Sequence, residues 1–293
     1  YCIAEDHKNA DLLFVGTEFG VHTSINGGRN WLALKNGLPT VAVRDIAIQE
    51  RENDLVLATF GRGFYVMDDY TPLRLLAENI LEKDAHIFPI ETTKVYVQAN
   101  PLGKKGKGFQ GDALYAAENA PIGAVFSIYI RDKINTLKDV RKEKEKEGNV
   151  DYPTATELVA EDNEAKPYLL IEIKNAEGKV IRRMKEKSFS GMKRVVWNYR
   201  HANADPVKLK QDDFKSGGRM AIPGQYSVSV IAVKDGIPST LIENKTFSIE
   251  PMYERYSTEE YAAMSKFHDE VEDIERVLWG LNEQINDQDE KLD

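Results

Sequence analysis

The chain has 293 residues, 42% hydrophobic and 30% charged, with a formal charge of −9 at neutral pH, long enough for two domains of ordinary size. The acidic balance argues against a dedicated nucleic-acid binder, which needs Lys and Arg clustered on one face, and no apolar run approaches the roughly 20 residues of a membrane-spanning helix. The single cysteine, Cys2, excludes an intrachain disulfide and a Cys-based metal cluster, and leaves a secreted or bacterial envelope location open.

Residues 3 to 24, IAEDHKNADLLFVGTEFGVHTS, align without a gap on residues 46 to 67, IAIQERENDLVLATFGRGFYVM. The shift of 43 places Ile3 on Ile46, Ala4 on Ala47, Asp11 on Asp54, Leu12 on Leu55 and Gly20 on Gly63. Short apolar strands separated by polar turns at such a period predict β-propeller blades. LLFVG and LVLAT are continuous apolar runs suited to strands covered on both faces, and GVHTS and GFYVM read as their hairpin partners. The first copy turns again into WLAL. In the second, Thr71 and Arg74 stand where Gly28 and Trp31 would repeat, so its outer strand is expected to be missing. Residues 1–70 are thus expected to be the last blades of a propeller whose earlier blades lie upstream of Tyr1.

The turn SINGGRNW, residues 24–31, has a physical content of its own. The side chains of Ser24 and Asn26 can bond backbone amides, Gly27 and Gly28 permit positive φ, and Trp31 can fold over the turn as an apolar plug. The stretch resembles the Asp-box, S-x-D-x-G-x-T-W, of bacterial neuraminidase (BNR) repeat propellers, with Asn26 for the Asp and Asn30 for the Thr. In sialidases, the resemblance implies, the box lies on the blade periphery, away from the arginine cluster, acidic residue and nucleophilic Tyr of the channel. The same box occurs in sortilin-type receptors, which bind proteins and peptides. Ser24, Asn26, Gly28 and Trp31 therefore read as structural.

The wider run to Asp69 is similar to a large bacterial family of BNR-repeat, glycosyl-hydrolase-like or sortilin-like proteins. That family reads T-H-G-R-G where this chain has Phe60 for His, which removes a proton shuttle. Arg62, Asp68 and Asp69 remain as channel candidates, with Arg62 expected to bond carbonyls or the Asp pair.

Residues 71–98 read as a linker, a short helical pattern followed by an exit strand. NPLGKKGKGFQGD, next in the chain, lacks the G-K-[ST] ending of a phosphate loop and reads as a surface loop. ENAPIGAVFSIYI, YLLIEIKNAEGKVIRRM, KRVVWNY and GQYSVSVIAVKDGIPSTLIENKTFSIE are short strands without intervening helices. They predict an antiparallel sandwich over 99–252, with turns at Asn175–Gly178 and Asp235-Gly236 and with Trp197 as its core aromatic. NAPIGAVFSIYI, VRKEKEKE, VIRRM, RVVWNYR and AIPGQYSVSV resemble the Ig-like domain of the same family, kin to that of flagellar hook-capping proteins. Such domains serve as spacers and binding platforms. Residues 131–167 form a charged insertion, expected to be a solvated helix and then a loop. Asp205, Asp212 and Asp213 sit in a loop without the oxygen-ligand spacing of an EF-hand.

From Ser257 a capping box with Glu260 opens a helix to Asp293. Met264, Phe267, Val271, Ile274, Leu278, Leu281 and Ile285 recur at alternating steps of three and four, a heptad seam. At roughly 1.5 to 3 kcal/mol for each large side chain fully buried, the seam is expected to pack on a hairpin partner, on the propeller flank or on a second copy. The hairpin leads and self-association follows. His268 is expected on the surface.

The fold class is thus mainly β: terminal β-propeller blades, an Ig-like antiparallel β-sandwich and a C-terminal amphipathic helix. No convergent pair of carboxylates, nor a Tyr with an acid, is identifiable, and no cofactor or metal is expected. The leading expectation is a secreted or envelope-associated platform that binds a protein, peptide or glycan. The alternative is a sialidase-like glycoside hydrolase whose catalytic residues lie in upstream blades.

Overall fold

A computed structural model describes residues 1–76, 78–96, 120–148, 152–205 and 216–292. The chain is mainly β, 42% strand and 23% helix, and divides into two compact units, Tyr1–Lys83 and Asp84–Asp293.

In the first unit, β1 (Cys2–Glu5), β2 (Leu13–Thr17), β3 (Gly20–Ser24) and β4 (Leu32–Leu34) form a four-stranded antiparallel meander. The second copy of the repeat, β5 (Val43–Gln49), β6 (Asp54–Thr59) and β7 (Phe64–Met67), forms a three-stranded one without an outer strand. Leu12, Phe14 and Val21 of the first copy share a core with Val43, Leu55 and Leu57 of the second. Tyr70 and Leu73 close this core, Leu73 from the short helix α1 (Thr71–Leu75) and Tyr70 just before it, and a second turn, α2 (Glu78–Leu81), follows. Tyr70 meets Phe14 edge to face at 5.2 Å, the arrangement that aromatic quadrupoles favour.

Two expectations for this unit are corrected. The central strands are not covered on both faces: Phe14 is buried, whereas its neighbours Leu13 and Val15 are only half-buried. The gapless repeat also slips by one residue. Thr17 pairs with Gly20 across a two-residue turn, but the amide of Thr59, not Phe60, bonds the Gly63 carbonyl across a longer loop. A one-residue slip turns every side chain of a strand to the other face. Val21 and Thr23 are therefore buried while their counterparts Phe64 and Val66 are 76% and 55% exposed.

The second unit begins with β8 (Ala85–Ile87) and β9 (Thr93–Val95) and continues through β10 (Ala124–Ile130). After α3 (Leu137–Lys146) and α4 (Ala155–Asn163) come β11 (Tyr168–Asn175), β12 (Val180–Lys187), β13 (Gly191–Trp197), β14 (Arg200–Ala202), β15 (Ser216–Met220), β16 (Gly224–Lys234) and β17 (Ile237–Pro251). The strands assemble as β13-β10-β8, as β12-β11-β16-β17-β9 and as the pair β14-β15; one sheet curls into a half-barrel. Alternate residues of β10, namely Ala124, Phe126, Ile128 and Ile130, face a core shared with β11, β16 and β17, with Trp197 fully buried at its centre. The indole N–H donates to the Arg200 carbonyl at 2.8 Å, so the buried donor is satisfied. Asp235 and Gly236, at φ of 52° and 75°, make the β16–β17 turn, the positive-φ pair of a type I′ hairpin.

The segment 71–98, expected as a linker and exit strand, is divided between the two units at Lys83 and Asp84. Its first part packs in the first unit, whereas β8 pairs with β10 and β9 runs parallel to β17. The charged insertion is two helices rather than a helix and a loop, each opened by a capping box at Thr136 and Thr154. Arg141 joins them, donating to both oxygens of Glu161 at 2.6 and 3.0 Å. The loop NPLGKKGKGFQGD and the residues Asp212 and Asp213 lie outside the described residues.

The last element is the helix α5 (Thr258–Leu292), and the body of the second unit leaves the expected seam uncovered. Its polar stripe docks on the body of its own unit: Ser265, His268, Asp269 and Glu272 are half-buried, together with Tyr261 and Met264. Arg219 of β15 donates to Asp269 at 2.8 Å and Lys179 does so at 3.0 Å. The expected seam faces water instead, with Phe267, Ile274, Leu278, Leu281 and Ile285 each more than half exposed. His268 is not a plain surface residue, because its Nδ1 is buried without a hydrogen bond. Long-range ion pairs, invisible to heptad periodicity, decide which face of the helix is held.

Candidate functional site

The turn SINGGRNW uses its polar atoms on itself. Ser24 Oγ accepts from the Gly28 amide at 2.8 Å and from the Asn26 amide at 3.4 Å. Asn26 Oδ1 accepts from the Asn30 amide at 2.9 Å and from Ser24 Oγ at 3.0 Å. Gly27 and Gly28 sit at φ of 66° and 85°, in the left-handed region that glycine tolerates. A Cβ on Gly28 would lie 3.6 Å from the Trp31 ring, so the half-exposed indole covers the turn. These four residues shape a corner and offer no reactive group.

Arg62, Asp68 and Asp69 are not brought together by any bond. Arg62 stands exposed in the β6–β7 loop with no hydrogen bond or ion pair among the described residues, and Asp68 is exposed likewise. Asp69 has a backbone role: its carboxylate accepts from the Thr71 amide at 3.0 Å at the start of α1, and its own amide donates to Asp54 at 2.9 Å. The expected link between Arg62 and the aspartates is absent because the slipped hairpin carries Arg62 into a three-residue loop.

The first unit also holds a polar cluster that the sequence did not disclose. The Asp6 carboxylate is wholly buried and accepts Nε and Nη2 of Arg74 at 2.7 and 2.6 Å, together with the Tyr70 hydroxyl at 2.5 Å. The amides of Lys8 and Asn9 add to it, and Arg74 also reaches Asn53 at 2.9 Å. Burial alone would raise the Asp6 carboxyl, but Arg74, Tyr70 and the Lys8 amide hold it far below the usual carboxylate range. Burial and the neighbouring carboxylate push the Tyr70 phenol well up. Each lone pair has a donor, so the cluster clamps the β1–β2 and β5–β6 turns to α1 and leaves nothing to bind a ligand.

The opposite condition holds in the second unit. A cleft of about 860 Å³ opens between β14–β15, the β16 start and the first turns of α5. His201 lines it, 93% buried, with no hydrogen bond to either ring nitrogen among the described residues. Burial first, then the Arg219 charge, lowers its pKa to about 4, so the imidazole is neutral at physiological pH and presents one donor and one acceptor. Arg219 and Lys179 both land on Oδ1 of Asp269, which leaves Oδ2 without a bond. Burial would raise the Asp269 carboxyl, but Lys179 and Arg219 outweigh it and hold it below the usual value.

Tyr256 and Tyr261 form an edge-to-face pair at 5.6 Å on the wall of the cleft, which Tyr226 also lines. The Tyr226 hydroxyl is spent on the Ile222 carbonyl at 2.7 Å, and burial raises its pKa to about 12. Gly218, next to Arg219, lies where a Cβ would strike the Ala202 carbonyl, so β14 and β15 approach closely there. Among the described residues no group of three or more His, Cys, Asp or Glu is placed to hold a metal ion. The sequence analysis did not single out this site, whose only local marks are a lone histidine, His201, in β14 and an arginine, Arg219, after the Gly217-Gly218 pair. Compared with known proteins, the chain matches no family profile and no curated sequence significantly.

Proposed function

We propose that the chain is part of a noncatalytic binding platform whose second unit takes a glycan in the cleft between its sheets and α5. The single observation that carries this reading is a buried neutral imidazole with both nitrogens unspent, beside a half-used carboxylate and a pair of tyrosine rings. Sugar hydroxyls donate and accept at once, which suits His201 and Asp269 together, and a pyranose face stacks on tyrosine. In this reading the first unit supplies the closing blades of an Asp-box propeller, and the second is an Ig-like domain of a secreted or envelope-associated protein. The self-bonded Asp-box turn and the paired four- and three-stranded meanders support that assignment.

The test is a glycan array probed with the 293-residue chain, followed by titration of the hits. The expected result is binding that falls at least about tenfold in His201→Ala and Tyr261→Ala, with aryl glycosides not turned over. A peptide ligand instead of a glycan, or turnover that survives chromatographic purification, contradicts the proposal.

A further inference from the structure

The exposed stripe of α5 rests on observations separate from the cleft. The body of the second unit buries helix side chains as far as Glu272 and flanks Glu275 and Trp279 across a pocket beside β14–β15; beyond Glu272 every described residue is exposed except Gly280 and Glu283. Along this free length Ile274, Val277, Leu278, Leu281 and Ile285 are 51% to 62% exposed, and Phe267, before it, is 62% exposed. We propose that α5 pairs antiparallel with α5 of a second copy, making the chain a homodimer through this seam.

The sequence of the stripe is self-complementary in that direction. With a dyad at Arg276, Phe267 faces Ile285 of the second copy, Val271 faces its Leu281, and Ile274 faces its Leu278. Each layer then repeats across the axis as a point-group contact requires. Val277 meets its own copy at the flank and widens the apolar strip. Six large apolar side chains of each helix, 37% to 62% exposed in the single chain, enter the contact, the apolar composition that homodimer interfaces favour.

Charge and shape select the antiparallel arrangement over the parallel one. In parallel register Glu270 would oppose Glu275 of the second copy on both flanks, two like-charge contacts. Antiparallel pairing leaves a single one, Glu275 with its own copy near the axis. It also sets the docked first half of each helix beside the free second half of the other, so the two bodies lie at opposite ends of the seam.

Sedimentation equilibrium on the 293-residue chain tests the proposal. The expected result is a concentration-dependent dimer whose dissociation constant rises about thirtyfold or more in Ile274→Glu, with the circular dichroism of the helix unchanged. Register is read by oxidation in a Cys2→Ser background. Ile274→Cys chains mixed with Leu278→Cys chains cross-link to each other, and neither cross-links alone. A monomer at all concentrations, a dimer indifferent to Ile274→Glu, or cross-linking of Ile274→Cys with itself overturns the proposal.

Discussion

Asp6 in the first unit and Asp269 in the second each meet an arginine, with a histidine and tyrosines close by, yet the two clusters end in opposite states. Asp6 receives Arg74 through two nitrogens, Tyr70 and two amides, so both of its oxygens are occupied. Asp269 receives two cations on one oxygen, and His201 beside it bonds nothing while facing a cleft. Saturation is the dividing line. A carboxylate with all its lone pairs occupied serves the fold, whereas one with spare capacity beside a cavity can serve a ligand.

The largest expected effect lies in the saturated cluster. Asp6→Ala leaves the Arg74 guanidinium buried without its partner and is expected to destabilise the first unit by about 3–5 kcal/mol in urea denaturation. Arg219→Met, at the unsaturated cluster, is expected to cost much less, because Lys179 still neutralises Asp269. Equal losses in the two variants would erase the distinction.

Acid should separate the units next. His201 has a folded pKa of about 4, below its ordinary 6.5, so the unfolded chain takes up the proton more readily. Its contribution is full above about pH 6.5 and is lost as the pH falls towards 4, up to about 3 kcal/mol in all. The Asp6 carboxyl is also held below its unfolded value, so its contribution persists down to about pH 4 and fades only below that. The second unit is thus expected to loosen first on acidification, followed by NMR of the His201 ring protons and by tryptophan fluorescence of the buried Trp197. Earlier loss of the first unit would reverse the assignment.

What was legible in the sequence follows the range of the forces involved. The 43-residue echo, the Asn26 turn, the Asp235-Gly236 hairpin and the Ser257 capping box are local, and each could be seen in a few consecutive residues. Asp6 and Arg74 are 68 positions apart, and neither carries a local sign that it will be buried. The docked face of α5 is hidden for the same reason, since Arg219 of β15 and Lys179 of the β11–β12 turn reach Asp269 from far along the chain. The slip at Thr59 was hidden by conserved spacing: Gly20 and Gly63 coincide in sequence while their hairpins differ by one residue.

Smaller effects refine the comparison. Asn26→Ala and Gly28→Ala should each cost about 1 kcal/mol, the first by stripping the Asn30 amide of its acceptor and the second by forcing a Cβ into positive φ. Arg62→Ala should change stability by less than about 0.5 kcal/mol, as expected of an exposed residue without partners.

The most direct test of a ligand site in the second unit is backbone and histidine NMR of the chain titrated with an array-selected glycan. The expected result is saturable shifts at His201, Lys179, Arg219 and Tyr261, with Asp6, Asn26 and Arg62 unmoved. Shifts centred on Trp31, Arg62 and Asp68 of the first unit, or none at His201, would contradict it.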